Sequence, residues 1–324
     1  MPEAHCNPSL RLACPAKVNL ALAVAAPRPD GLHPIASWMV ALDFADDLAL
    51  ERLDRDDRAT ATDAAPRFDV AFAPDAPAPR EVDWPIENDL ACRAHGALES
   101  HLGRPLPVAV TLRKRIPTGA GLGGGSSDAA AVLVGLDRLF QLNLGRDALT
   151  ALAGTLGSDV AFLVDAMLGR PSALVTDTGG ELEPAPLREP LHLTLVLPGF
   201  GCPTGPVYAA FDRLHPDAPP RPDVERVRRL TGRHPLPPEA LFNDLEAPAA
   251  AVRGELAALL LSLRDEMRLP ARVTGSGSAS FVIRPTRGDA EATARAVTQR
   301  LGVPAIAAST PAPATPRDEA AGRS

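Results

Sequence analysis

Between Pro117 and Ala131 the chain reads Pro-Thr-Gly-Ala-Gly-Leu-Gly-Gly-Gly-Ser-Ser-Asp-Ala-Ala-Ala, with five glycines in positions 119–125. A strand-like apolar run, Val108 to Leu112, leads in, and a helical run, Ser127 to Phe140, leads out. On that helix Val132, Leu136 and Leu139 recur at helical spacing beside Leu133 and Phe140, so the segment packs on a core. The glycines strip side chains from the backbone where a helix begins. The unpaired N–H groups of the first turn, with the positive end of the helix dipole, then face open space. Such a junction suits a polyphosphate.

Other readings of the loop fit less well. A flexible Gly/Ser linker does not sit between a strand and an amphipathic helix. A Walker A loop is excluded, because no Gly-Lys-Ser/Thr follows the glycines. Gly119, Gly121 and Gly124 satisfy the dinucleotide fingerprint formally, but that fold wants an acid about 20 residues on, at the end of the next strand. The nearest acid, Asp137, lies inside the helix. The loop reads as a phosphate cradle of a third kind.

At 324 residues the chain is long enough for two domains. A net charge of −7 argues against a protein that coats nucleic acid. Cys6, Cys14, Cys92 and Cys202 form no Cys-x-x-Cys pair and read as reduced thiols, with neither a disulfide framework nor a metal site. No apolar run approaches transmembrane length. Val18 to Ala26 resembles a short signal-peptide core, but Glu3 precedes it and the same residues read well as a strand, so a cytoplasmic protein is expected. Lys17 and Lys114 are the only lysines beside many arginines, and both fall next to motifs.

Arg11 to Ala26 and Leu32 to Leu50 read as strands separated by a turn at Pro27–Gly31. Residues 54–85 read as a mobile surface excursion around one strand, Phe68 to Phe72. Helices are expected over Asn88 to Leu102 and Arg146 to Leu156, and another opens at Gly157-Ser-Asp159 with Ser158 as its cap. Beyond it come a strand (Leu191 to Leu197), a helix (Pro203 to Leu214) and a proline-rich connection carrying a short basic helix (Pro216 to Pro238). One long helix is expected from about Leu241 or Asn243 to Met267. Strands flank Gly275-Ser-Gly277, and a helix (Asp289 to Leu301) and a strand (Ala305 to Ala307) close the pattern. That order suggests an antiparallel sheet with helices on one face.

Three further segments join the glycine loop: Pro15-Ala-Lys-Val-Asn19-Leu on the first strand, Gly157-Ser-Asp159-Val-Ala-Phe at a helix start, and Thr274-Gly-Ser-Gly-Ser-Ala279 near the end. With the central loop they resemble the GHMP kinases, the family of galactokinase, homoserine kinase and mevalonate kinase, over nearly the whole chain. Arg28-Pro-Asp-Gly-Leu-His33 and Phe242-Asn-Asp-Leu-Glu246 narrow the likeness to the branch acting on a cytidine-diphosphate-linked polyol of isoprenoid precursor synthesis.

The resemblance implies an α+β, two-domain fold. A ribosomal-protein-like α/β domain would span residues 1–167 and a ferredoxin-like domain 168–309, with a disordered tail over 310–324 and the active site in the cleft. It implies an ATP-dependent small-molecule kinase whose Mg²⁺ arrives on ATP without a dedicated protein metal site. Neither nucleic acid nor membrane is implied as a partner, and the chain would be a monomer or homodimer. By the resemblance, Pro117, Gly119, Gly121, Leu122, Gly123, Gly124, Gly125, Ser126 and Ser127 wrap the ATP phosphates, and Lys114 approaches the phosphates or ribose. Asp159 would take the proton of the attacking hydroxyl, with Lys17 holding both groups. Asn19 would bind the diphosphate or diol, His33 the cytosine edge, and Tyr208, beside Thr204, would stack on the base.

Taken alone, Asp159 reads as an acid at a helix amino end, Lys17 as a strand lysine, His33 as a solvated residue and Tyr208 as part of its helix's core. The chain also departs from the family pattern. Leu32 stands where a second aromatic is common, Asp89 where an Asn is usual, and Ser278 where Ala is commoner. The rivals are another kinase of the family acting on homoserine or mevalonate, a dinucleotide-dependent oxidoreductase, and an RNA-binding protein.

Overall fold

The computed structural model describes residues 8–53, 66–177 and 180–312. β1 (Ser9–Val24) and β2 (Ile35–Arg52) form a long antiparallel pair. Its register shifts twice, between Pro15 and Lys17 and between Asn19 and Ala21. Such bulges re-aim side chains, and these two bracket the segment carrying Lys17 and Asn19. β3 (Arg67–Phe72) is the strand expected within the 54–85 excursion, of which residues 54–65 lie outside the described ones.

Asp89 opens α1 (Leu90–Leu102), its carboxylate accepting the Ala91 N–H at 2.9 Å. β4 (Val108–Lys114) pairs parallel with β3 and antiparallel with the outer half of β2. It delivers the chain into the glycine loop and α2 (Gly124–Leu139). This helix starts three residues before the sequence suggests, because Gly123, at φ +71°, ends the loop and two glycines form the first turn. Almost every α2 residue from Ser127 to Leu136 is buried.

α3 (Gly145–Gly154) and α4 (Ser158–Met167) follow. Ser158 is not the expected cap: Gly157 occupies that position, and Ser158 is the first helical residue with no capping bond. Two strands absent from the sequence reading come next, β5 (Ser172–Asp177) and β6 (Glu181–Pro184). β5 pairs antiparallel with Ile35–Val40 of β2, and β6 with β5. Both belong to the first sheet, although they follow residue 167 in the chain.

The second half begins with β7 (His192–Val196), α5 (Thr204–Leu214) and α6 (Val224–Thr231). The expected long helix is broken in three. β8 (Phe242–Asn243) runs parallel to β1, α7 (Glu246–Val252) follows, and Arg253 in extended conformation separates it from α8 (Gly254–Asp265). Asn243 causes the first break. Its amide donates to the carbonyls of Val273 and Gly275 at 2.8 Å each, and its Oδ1 accepts the Leu245 N–H. Those tertiary bonds outweigh local helix preference. β9 (Arg272–Val273), β10 (Ser280–Arg284), α9 (Arg287–Leu301) and β11 (Ala305–Ser309) complete the chain, and residues 313–324 of the expected tail lie outside the described residues.

The first sheet runs β3-β4-β2-β1-β8, with β5 and β6 extending from β2; the second is antiparallel, β11-β7-β10-β9. One apolar core lies between the first sheet and α1, α2 and α4. A second joins Val18, Leu20, Trp38 and Val40 of the first sheet to Leu193, Leu195 and Phe281 of the second, with Val227 and Leu230 of α6. A small third core packs α8 and α9 on the second sheet. Face-to-face contact of the sheets fixes the cleft in which the loops meet. Among the described residues, no helix is long and apolar enough to cross a membrane.

Candidate active site

A cavity of about 840 Å³ opens between the halves, within the size range of small-molecule sites. Its floor is the glycine loop, from Pro117 to Gly125, followed by Ser126. Three loops touch there, and only small residues allow it. A Cβ on Gly121, which has φ +78°, would lie 2.2 Å from the Thr274 carbonyl oxygen. The Ala279 N–H donates to the Ala120 carbonyl at 3.0 Å, and the Cys202 N–H to that of Gly119 at 3.2 Å. The phosphate loop is thus locked to both loops of the second half. At its end, a Cβ on Gly123 would lie 2.9 Å from Lys17 Cγ, so this glycine is what lets the lysine stem pass beneath the start of α2.

Lys17 is 3 % exposed, and its backbone N–H donates to the Leu122 carbonyl at 2.9 Å. Its ammonium donates to Asn19 Oδ1 at 2.8 Å and lies 3.2 Å from Asp159 Oδ2. Asp159 is in the first turn of α4, where the helix dipole favours a carboxylate, and it is the more open partner. Asn19 is itself held from three sides. Its Nδ2 donates to Ser37 Oγ at 2.7 Å, its N–H to Thr274 Oγ1 at 2.9 Å, and its Oδ1 also faces that hydroxyl at 3.3 Å. Asn19 borders the cavity, yet its amide is chiefly engaged in aiming Lys17.

Beside this pair stand Tyr208 and Thr204 of α5, Thr204 hydrogen-bonded to Ser276 at 3.2 Å. Burial, with the nearby Asp159 charge, pushes the Tyr208 phenol up to about 12. His33 does not border the cavity but lies behind Tyr208, ring centroids 4.7 Å apart, with Nε2 bonded to Asp212 Oδ1 at 2.8 Å. Leu32 is 54 % exposed.

Trp84, Arg80, Asn88 and Asp89 also line the cavity. The sequence reading missed Trp84 and Arg80, which sit in a segment of weak local pattern. Trp84 Nε1 donates to Asp89 Oδ2 at 2.9 Å. With the capping bond to Ala91, this occupies both oxygens of the residue that departs from the family pattern.

Lys114 and Ser127 are both buried. Lys114 borders the cavity, but its side chain is 2 % exposed and its ammonium is held by Asp46 Oδ2, at 2.8 Å, and by Asp128 Oδ2. Ser127 is wholly buried, its Oγ without a partner among the described residues, whereas Ser126 lines the cavity. Among the described residues, no group of three or more His, Cys, Asp or Glu side chains is set to hold a metal ion.

Comparison with known proteins fixes the family. Residues 89–166 match the family described as GHMP kinases N terminal domain. A protein of Caulobacter vibrioides (strain NA1000 / CB15N) named 4-diphosphocytidyl-2-C-methyl-D-erythritol kinase is 38 % identical over 86 % of this chain and 90 % of its own length. The chain belongs to that kinase family. A relative of the same name from Thermobifida fusca (strain YX) is 36 % identical over 83 % of this chain and 85 % of its own. A crystal structure of 4-(cytidine 5'-diphospho)-2C-methyl-D-erythritol kinase superposes with a TM-score of 0.72 at 32 % identity, covering 94 % of this chain and all (100 %) of that one. L. major mevalonate kinase, solved in complex with R-mevalonate, shares the fold at 15 % identity and a TM-score of 0.65, covering 95 % of this chain and 98 % of its own. The expected α+β fold and membership of the GHMP kinases hold, and the chain is an ATP-dependent small-molecule kinase.

Proposed function

We propose that the protein transfers the γ-phosphoryl group of ATP to the 2-hydroxyl of 4-diphosphocytidyl-2-C-methyl-D-erythritol, a step of non-mevalonate isoprenoid precursor synthesis. The observation that carries this reading is the Lys17–Asp159 pair at 3.2 Å, beside a helix-opening glycine loop, in a chain of this family. Phosphoryl transfer needs positioning and charge stabilisation more than covalent participation. The first-turn N–H groups of α2 and the loop amides take the triphosphate. Asp159 accepts the hydroxyl proton as the new oxygen–phosphorus bond forms. The bond from the γ-phosphorus to the β,γ-bridging oxygen breaks, and ADP leaves. Lys17, aimed by Asn19, stabilises the developing alkoxide. Mg²⁺ carried in on ATP would supply charge neutralisation, and the Ser126 hydroxyl, which lines the cavity, is a hard oxygen donor suited to it.

Tyr208 and Thr204 would take the cytidine end, with His33 placed behind the tyrosine and held by Asp212. A homoserine or mevalonate kinase has no use for a base-stacking tyrosine at this position. Trp84 and Asp89 would close the ATP end. The test is ADP release from ATP with 4-diphosphocytidyl-2-C-methyl-D-erythritol, homoserine and mevalonate in parallel, with phosphorus NMR of the product. Turnover confined to the cytidylyl substrate is the expected result. Turnover on homoserine or mevalonate instead would overturn the substrate while leaving the kinase.

A further inference from the structure

Lys114 is the more buried of the chain's two lysines, and with Asp46 and Asp128 it forms a buried polar cluster that the phosphoryl transfer does not use. Its ammonium donates to Asp46 Oδ2 at 2.8 Å and to Asp128 Oδ2, the three side chains being 2 %, 0 % and 1 % exposed. Each member sits on a different part of the site's frame. Asp46 is on β2, across the ladder from Cys14 and one residue beyond the bulge that sets Lys17. Lys114 is the last residue of β4, where the chain leaves for the glycine loop. Asp128 is in the opening turns of α2, the helix whose amino end faces the cavity.

The second oxygen of Asp46 extends the tie into the loop itself. Asp46 Oδ1 accepts the backbone N–H of Arg115 and, at 2.7 Å, that of Ile116. Ile116 then packs so closely on α2 that a Cβ on Gly124 would lie 3.0 Å from its Cγ2. Entry to the loop, exit from it and the strand beside Lys17 thus converge on one ammonium. A buried charge left unpaired is costly, which makes such a cluster specific in geometry.

We propose that Lys114 is a positioning residue. Through Asp46 and Asp128 it fixes the glycine loop and the first turn of α2 relative to Lys17 and Asp159, and it does not itself bind the nucleotide. The proposal rests on the kinase reading above and needs no particular second substrate.

The test compares the full-length wild type with Lys114→Gln, Asp128→Asn and the double variant. Kinetics are measured well below each melting temperature, and affinity for a non-hydrolysable ATP analogue by calorimetry. Displacing reacting groups by about 1 Å lowers turnover as much as ~100-fold. Each single variant is expected to lose kcat and analogue affinity together. The double variant should fall no lower than the worse single one, because both changes break the same tie. If Lys114 instead held phosphate directly, Asp128→Asn would free the ammonium and tighten analogue binding, which overturns the proposal. Lower melting temperatures with wild-type kinetics and affinity in all three variants would also overturn it, leaving only a structural role. Should Lys114→Gln fail to fold, the isosteric Asp128→Asn still decides, since loss and gain of affinity separate the two roles. A wild type that binds the analogue without acting on the cytidylyl substrate defeats the substrate reading but leaves this affinity comparison valid. A wild type that binds no analogue overturns both.

Discussion

Asp159 and Lys17 are 3.2 Å apart, but only Asp159 is appreciably open to the cavity, at 29 % side-chain exposure. Their roles are therefore separable by mutation. Asp159→Asn keeps the shape and removes the proton acceptor, so kcat should fall about 10²–10⁴-fold while affinity for a non-hydrolysable ATP analogue stays close to wild type. Equal loss of affinity would show that the carboxylate serves nucleotide binding instead. Tyr208 gives a complementary prediction at the other end of the substrate. Replacing it by Ala removes a stacking face worth roughly 1–3 kcal/mol, so KM for the cytidylyl substrate should rise with little change in kcat. Tyr208→Phe should behave like wild type. Its phenol, raised to about 12, stays protonated at any working pH, so no titration of this residue should enter the pH–rate profile. A kcat loss in Tyr208→Ala at unchanged KM would count against a stacking role.

The elements that carry these residues differ in how openly the sequence declares them. The glycine loop announces itself, because five glycines between a strand and a helix have few other uses. What each glycine does was hidden, since it depends on neighbours far along the chain: Gly121 makes room for the Thr274 carbonyl, and Gly123 for Lys17. Gly121→Ala and Gly123→Ala should therefore abolish most turnover and lower the melting temperature, each forcing a Cβ into contact below 3 Å at positive φ. Gly96 is the control. It lies inside α1 with nothing within 4 Å of an added Cβ, so Gly96→Ala should stabilise by about 0.5–1 kcal/mol with activity unchanged, measured by denaturant midpoint. A Gly121→Ala enzyme as active as Gly96→Ala would mean that the loops need not touch. The lysines show the same boundary of legibility. Both were visible as lone ammonium groups beside motifs, but nothing local distinguishes Lys17, aimed at a carboxylate in the cavity, from Lys114, held among carboxylates in the core. Asp46 lies 68 residues from its partner, and only folding brings them together.

At the scale of the whole molecule, two sheets meet beside the cavity, and the first of them takes in β5 and β6 from beyond residue 167. β5 and β6 went unrecognised because strands this short are defined by the partner they pair with, here β2, rather than by their own pattern. The same dependence on distant partners gives the folded state a distinctive response to pH. Burial is the main cause that pushes the Asp128 carboxyl up, to about 8; Asp46 and Asp89 add to this, while Lys114, itself held above its ordinary value by the two carboxylates, opposes it. The neighbouring Cys14 thiol is driven well up by burial and by the same carboxylates, so it stays neutral over the working range. The native state therefore binds a proton at Asp128 that the unfolded chain releases near pH 4. Between that pH and about 8 the native state holds more protons, so this group's stabilising contribution is complete below about pH 4 and is lost as pH rises through 8. The slope it adds is at most about 1.4 kcal/mol per pH unit, one proton's worth. Asp128→Asn deletes this titration, so subtracting its stability curve from that of wild type reports the contribution of Asp128 and of its coupling to the groups around it. Denaturant unfolding from pH 5 to 9 should show wild type losing stability relative to Asp128→Asn as pH rises, with the gap levelling off above about pH 8. Parallel curves would mean that Asp128 is ionised throughout, and that Lys114 outweighs the burial of both carboxylates around it.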